Sequence, residues 1–235
     1  MAAPRERIEW MRGGDAFFLD QLDSLSDDAL REPSGLPDWT RAHVVSHFSR
    51  NARGLVNLLD WARTGVVTPM YPSVEARADG IEEGSRQDAT ALRAEARTAS
   101  KQLLDAVDAM PDTAWDGAIR TALGRETTGA EVPWMRVREN WVHAIDLAAG
   151  ARVDQLPDAV VVALADEVAQ VMGAREGSPS VALEATDTNR HWTRGASAVV
   201  VKGTQAALLA WLIGRSSGEG LQASNGALPA APRWL

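Results

Sequence analysis

Helical periodicity dominates the first 150 residues of the chain. Apolar side chains recur there at spacings of three and four, which is typical of amphipathic helices that each bury one face. Thr40 is a good N-cap and Gly65 a good C′ residue for the second of these helices. The spacing predicts four helices, over residues 5–25, 41–64, 88–110 and 133–150. Four helices joined by loops predict a mainly α fold that begins with an N-terminal four-helix bundle, a common framework for metal sites.

The pattern changes after Pro157. The following segments predict a helix, two β-branched strands and a buried helix, over residues 158–172, 180–185, 198–202 and 203–214. We expect residues 216–235 to be mostly irregular because they are rich in Gly, Ser, Ala and Pro. The sequence therefore predicts two domains, a helical bundle over residues 1–150 and a small α+β domain over residues 151–235.

Charge and cysteine content limit the classes of function. The chain has 24 basic and 32 acidic side chains and a net charge of −8, which argues against nucleic-acid binding. Its longest apolar run, residues 206–213, is far shorter than the ~20 residues of a membrane-spanning helix. The first residues include acids where a signal peptide would be apolar, so we expect a cytoplasmic protein with no membrane partner. The chain has no cysteine, so any sulfur chemistry requires a thiol from a small molecule.

The histidines indicate a candidate metal site. Three of the four histidines fall in the predicted bundle, and His43 and His47 lie four residues apart on one helix. Glu139 and His143 have the same spacing on another helix, so each pair can face a shared interior. Two histidines and a glutamate with an open fourth position are one of the ligand sets of catalytic zinc.

Other interpretations of these residues stay open on spacing alone. A histidine on a half-apolar helix is more often a hydrogen-bonded packing residue than a metal ligand, so the pattern is a hypothesis. The spacing does not choose between His43 and His47. Asp146 can orient a ligating imidazole, or it can be a solvated helix residue, which is the commoner role.

Several longer motifs carry a family resemblance. Two of them lie on predicted helices, WTRAHVVSH at residues 39–47 and WMRVRENWVHAIDL at residues 134–147. Shorter ones are WARTG at 61–65, TPMY at 68–71 and PRWL at 232–235. The helical motifs are shared with a wider superfamily of thiol-dependent metal proteins, and the shorter segments narrow the match. Together, across essentially the whole chain, they resemble the mycothiol-dependent maleylpyruvate isomerases.

The resemblance implies a metal centre and a reaction. It implies zinc held by His47, Glu139 and His143, with His43 outside the coordination sphere. It also implies mycothiol as the thiol cofactor and maleylpyruvate, a ring-cleavage product of gentisate, as the substrate. Addition of a zinc-activated thiolate makes the cis double bond single, and rotation and elimination then give fumarylpyruvate, the trans isomer.

The resemblance also implies that Arg215 of the second domain reaches the active site and is required for activity. A guanidinium there can bind a substrate carboxylate or stabilise negative charge that develops on the substrate. The common alternative is a cation that complements the dipole of the preceding helix. Asn140 departs from the family pattern, where an apolar residue is expected, and the departure concerns local packing.

Two rival functions fit the same residues. A mycothiol S-transferase or detoxification enzyme would act on another electrophile and leave the thiol attached to its product. A non-catalytic bundle would bind a thiol or a partner protein in the same place. For every one of these functions we expect a monomer.

Overall fold

The structure is a computed structural model, and it describes residues 3–173, 180–194 and 199–230. The chain divides into two compact units, Met1–Ala151 and Arg152–Leu235. The first unit is helical and the second combines helices with a small sheet. The PRWL motif at residues 232–235 lies outside the described residues.

The described residues of the first unit form five α-helices. They are α1 (Arg5–Ser24), α2 (Arg41–Thr64), α3 (Val74–Ser85), α4 (Ala89–Asp108) and α5 (Val132–Asp146). The four predicted helices correspond to α1, α2, α4 and α5. Gly65 ends α2 in the left-handed conformation with a φ of 73°, which is the role that the sequence predicts for it.

Helix α3 is absent from the sequence prediction, which is therefore incomplete. Ser73 caps the helix by accepting a hydrogen bond from the Ala76 amide at 3.1 Å. Its buried positions include Gly80 and Gly84, so it has no continuous apolar stripe. A Cβ at either glycine would collide with a side chain of α2, Arg50 or Ser46, at 2.5 and 2.3 Å. The helix packs through small residues, which hydrophobic periodicity does not detect.

A short hairpin lies between α4 and α5, where the sequence predicts only a loop between two helices. Strand β1 (Ala118–Arg120) pairs antiparallel with β2 (Glu126–Thr128). Three residues are too few to show the alternation that identifies a strand. The hairpin leads through a 3₁₀ turn into α5.

An apolar core joins α1, α2, α4 and α5. The rings of Phe18 and Phe48 stack at its centre, with centroids 3.8 Å apart and planes 2° from parallel. Around them lie buried aliphatic side chains, including Leu22, Leu30, Val44, Val45, Leu92 and Leu147. The core therefore accounts for the apolar stripes of all four predicted helices.

A buried ion pair lies beside this core. Arg136 of α5 is fully buried and donates from Nε to Asp15 of α1 at 2.8 Å. It also donates from Nη1 to two groups of α2, the Phe48 carbonyl and the Asn51 side chain, both at 3.0 Å. One guanidinium thus fixes α5 against two other helices.

Asn140 extends this network. Its amide nitrogen donates to the Met11 carbonyl at 2.8 Å and to the Asp15 carboxylate at 3.0 Å. The side chain lies directly against Gly14, where an added Cβ would come within 2.3 Å of Asn140 Oδ1. The polar side chain at position 140 therefore has hydrogen-bond partners on α1. It also fills the space beside position 14, which explains why α1 has a glycine there.

The second unit contains α6 (Asp158–Gly173) and α7 (Gln205–Leu212), which pack against each other. Its sheet has the order β4-β3-β5-β6, formed by His191–Arg194, Val181–Ala185, Val199–Gly203 and Gln222–Ala223. Strands β3 and β5 are parallel, with Val181 opposite Val199, and the two outer pairings are antiparallel.

The sequence predicts β3 and β5 but not the outer strands β4 and β6. Strand β4 has the mixed sequence HWTR, and β6 is only two residues long, so neither shows a β pattern. Helix α7 is shorter than its predicted range of 203–214. Gly203 belongs to β5, and Thr204 caps the helix by accepting from the Ala207 amide at 3.2 Å.

Within residues 3–173, 180–194 and 199–230, none of the helices has both the length and the apolar character needed to cross a bilayer.

Gly14→Ala is expected to lower the free energy of unfolding by about 1–3 kcal/mol, because its methyl group would overlap Asn140. Gly13→Ala is the matched control on the same helix. Its Cβ would meet the Trp141 ring at an ordinary 3.4 Å. Because alanine is a better helix former than glycine, this substitution should raise the free energy of unfolding by up to about 1 kcal/mol. Urea unfolding measures both, and equal effects of the two substitutions would contradict this packing.

Candidate metal centre

Three candidate ligands from α2 and α5 converge in the first unit. Nε2 of His47 lies 2.8 Å from Oε2 of Glu139, and Nε2 of His143 lies 3.2 Å from the same oxygen. One ligand atom from each side chain lies within 4.8 Å of the other two. The two imidazole rings are nearly perpendicular, with centroids 4.8 Å apart. These separations suit a shared ion.

Helix geometry explains how these side chains meet. Glu139 and His143 are four residues apart on α5 and lie on one face of it. His47 lies on the buried face of α2, next to Phe48, whose carbonyl accepts from Arg136. Arg136 is one turn before Glu139, so the buried arginine sets the position of the ligand-bearing part of α5 relative to α2.

His143 is oriented as a metal ligand would be. Its Nδ1 donates to Oδ2 of Asp146 at 2.8 Å, which directs Nε2 towards Glu139 and His47. Asp146 is buried, with 1% of its surface exposed, so the interpretation of Asp146 as a solvated residue is wrong. A carboxylate behind a ligating imidazole fixes its tautomer and increases its basicity. Two neutral nitrogens and one carboxylate oxygen are a donor set that fits zinc.

His43 lies outside this cluster and has other partners. Its Nδ1 accepts from the Thr40 amide at 3.2 Å at the start of α2. Its Nε2 lies 3.0 Å from Glu82 and 3.2 Å from Ser85, both on α3. Both ring nitrogens are therefore used in capping α2 and in attaching α3.

The cluster shifts the pKa values of its members in different directions. Burial lowers the pKa of His47, although Glu139 opposes the shift. Burial also disfavours the charged form of His143, but hydrogen bonds with Asp146 and Glu139 raise its pKa to about 9. Glu139 is buried, which by itself raises a carboxyl pKa, yet the two histidines hold its pKa well below the usual value. Without a bound metal, the cluster would thus pair an ionised glutamate with a protonated His143 at neutral pH.

Three further side chains surround the cluster. The Trp39 ring meets His47 edge to face at 5.6 Å. Arg77 of α3 places Nη2 3.4 Å from Nδ1 of His47, and its guanidinium lies 5.8 Å from the centre of the Tyr71 ring. Sequence reasoning missed Arg77 because it missed α3. Tyr71 belongs to the TPMY motif, which was the one signal for it.

Arg215 belongs to the second unit and follows α7. Its backbone amide donates to the Ala210 carbonyl at 2.8 Å, and its Nη1 donates to the Ile213 carbonyl at 2.6 Å. The guanidinium is thus bonded to the carbonyl of Ile213, the residue after the end of α7, which is compatible with the dipole-complementing role that the sequence leaves open. Its role in activity stays a prediction.

Comparisons with known proteins cover the whole chain. Residues 11–148 match the family described as mycothiol maleylpyruvate isomerase N-terminal domain, and residues 146–233 match the corresponding C-terminal domain. A crystal structure of a mycothiol-dependent maleylpyruvate isomerase is 34% identical, with a TM-score of 0.93, and the match covers 100% of both chains. A histidine-to-alanine mutant of such an isomerase matches with 33% identity, the same TM-score and the same coverage. A search of curated protein sequences found no match.

Substitution of each candidate ligand is expected to lower zinc affinity. His47→Ala, Glu139→Gln and His143→Ala each remove one donor, and we expect each to lose at least about 100-fold in affinity. Asp146→Asn removes only the support of His143 and should lose about 10–100-fold. His43→Ala is the control and should bind zinc as the unaltered protein does. Competition with a chelating dye measures the series, and zinc loss in the His43 variant alone would contradict the assignment.

Zinc affinity is also expected to depend on pH. Zinc must displace the proton of His143, whose pKa is about 9, so the metal-ready fraction grows as the pH rises towards that value. His47, with its lowered pKa, is already neutral at neutral pH. Apparent affinity should therefore rise by about tenfold per unit between about pH 6.5 and about pH 8. Chelator competition across this range tests the slope, and a constant affinity would contradict it.

Proposed function

The chain belongs to the mycothiol maleylpyruvate isomerase family, and on that premise we propose that it converts maleylpyruvate to fumarylpyruvate with zinc and mycothiol as cofactors. The observation that carries the proposal is the convergence of His47, Glu139 and His143 on one point in a chain without cysteine. The nitrogen and oxygen donors suit a metal, and the thiol must come from elsewhere.

The proposed zinc ligands are His47, Glu139 and His143. Zinc at this position would lower the pKa of the mycothiol thiol, whose addition to the conjugated double bond and later elimination would permit the cis–trans rotation. Glu139 supplies one negative charge to the ligand set and the two imidazoles supply none. One thiolate would then make the centre formally neutral. A neutral centre would hold the thiolate less tightly than a cationic one, so the sulfur would remain able to react.

The remaining residues of the site act by position. Asp146 holds His143 in the tautomer whose Nε2 is free to bind a metal. Trp39 packs edge to face against the His47 ring. Both α2 and α5 are anchored by the buried arginine, so the ligands are held by rigid elements. Such preorganisation is what a reactive metal centre requires.

Arg215 is proposed as the residue required for turnover, by binding a substrate carboxylate or by stabilising negative charge on the substrate oxygens. The family resemblance supports this role. A guanidinium also offers a planar pair of donors that matches a carboxylate. The monomeric state and the cytoplasmic location stay predictions.

The rival functions differ in what happens to the thiol. An isomerase returns mycothiol unchanged, an S-transferase leaves it bound to the product, and a binding module consumes nothing. The match along the full chain favours the isomerase over both. The fate of mycothiol therefore separates the transferase from the other two functions, and turnover of maleylpyruvate separates the isomerase from the binding module.

The decisive assay follows maleylpyruvate with purified protein after zinc removal and restoration, with and without mycothiol. We expect turnover only when both zinc and mycothiol are present, with all the mycothiol recovered as free thiol. Arg215→Gln should lower kcat by about 100-fold or more at unchanged zinc content. Turnover without the thiol, or a stable thiol adduct as the end product, would contradict the isomerase function.

A further inference from the structure

Arg77 is a cation at the metal centre that the proposed mechanism does not use. It lies in the first half of α3, half-buried, with Nη2 3.4 Å from Nδ1 of His47. Its guanidinium also lies over the ring of Tyr71. All of these residues belong to the first unit, so their arrangement is a property of one compact body.

Arg77 has no carboxylate partner among the residues that the structure describes. Other arginines of this unit do have one, as Arg7 has Glu131 and Arg41 has Glu32. Arg50, which lies against Gly80 of the same helix α3, also makes no ion pair in the described ranges, and its Nε is buried without a hydrogen bond. The interface of α2 and α3 thus holds two guanidinium groups that no described acid neutralises.

Tyr71 adds a hydrogen-bond donor at the same place. Burial raises the pKa of its hydroxyl, and the Glu139 carboxylate raises it further, while Arg77 opposes the shift. The hydroxyl therefore stays protonated at neutral pH. A neutral phenol and a guanidinium side by side are both donors, which is the composition of an anion site.

Binding of a metal to Nε2 of His47 would change what Nδ1 of that ring can offer to Arg77. A guanidinium can only donate, so Nδ1 of His47 must accept in this contact. A histidine that binds metal through Nε2 carries its proton on Nδ1 and has no lone pair there. Arg77 would then face another donor at His47, and the Nη2 group that now points there would need a different acceptor.

We propose that Arg77, assisted by the Tyr71 hydroxyl, binds a carboxylate of the substrate next to the metal and selects anionic substrates. This inference rests on the proposed function, because maleylpyruvate carries two carboxylates. A carboxylate matches the guanidinium fork in shape and charge and accepts from the phenol as well. Arg77 acts in binding, and no proton or bond changes at it. This role gives α3 a function in the site beyond covering α2.

The test compares zinc-loaded protein with three variants, Arg77→Gln, Arg77→Lys and Arg86→Gln. Arg86 follows α3, is exposed and pairs with Glu82, so its variant is the matched control for the loss of one positive charge. Maleate, a dicarboxylate that lacks the keto groups, is the probe for calorimetric binding. Zinc content and the separate kcat and KM for maleylpyruvate complete the measurement.

Arg77→Gln is expected to retain zinc, to weaken maleate binding by about 10-fold or more and to raise KM more than it lowers kcat. Arg77→Lys should recover part of the affinity, and Arg86→Gln should bind maleate like the unaltered protein. Unchanged maleate affinity in Arg77→Gln, or zinc loss that accounts for the whole effect, would overturn the proposal. So would the absence of maleate binding to the unaltered zinc protein.

The two proposals can fail separately. A zinc protein that binds maleate through Arg77 but does not isomerise maleylpyruvate would reject the isomerase function and retain the anion site. A protein that isomerises maleylpyruvate with the same KM in Arg77→Gln would retain the function and reject the anion site.

Discussion

The buried contact between Arg136 and Asp15 is the interaction on which the metal centre depends. It joins α5 to α1, and the same guanidinium binds a carbonyl and an amide of α2. An ion pair in an interior is sensitive to geometry, because leaving either charge alone would cost about 3–5 kcal/mol. The register of α5 is therefore tightly specified one turn before Glu139. The three candidate ligands on two helices meet because a fourth, non-ligating residue, Arg136, leaves them little freedom.

The candidate site could be read from the sequence largely because helices convert spacing into direction. Glu139 and His143 must share a face once α5 is recognised, and His47 is placed by the apolar pattern of α2. Spacing did not separate His47 from His43, since both lie on the same face. The choice depends on α3, whose Glu82 and Ser85 bind His43. Contacts between helices distant in sequence are not encoded in local periodicity.

The features that the sequence did not predict are helix α3, the position of Arg77 and the role of Asn140, and they have a common physical origin. Helix α3 packs through Gly80 and Gly84, whose lack of a side chain lets its backbone come close to α2. Its buried face therefore lacks the continuous apolar stripe that normally identifies such a face. Because α3 was not predicted, Arg77 was not identified as a residue of the site, although it lies beside His47. Asn140 looked like a departure from pattern, but it fills the space above Gly14 and binds Asp15. Polar and glycine positions carry tertiary information that hydrophobic patterns do not contain.

The most direct test of the proposed metal centre is zinc X-ray absorption spectroscopy on the zinc-loaded protein before and after addition of mycothiol. We predict three nitrogen or oxygen scatterers from the protein at about 2.0–2.2 Å, joined by one sulfur at about 2.3 Å when the thiol is added. A spectrum without imidazole scattering, or one that gains no sulfur with the thiol present, would contradict a metal centre that borrows its sulfur from a small molecule.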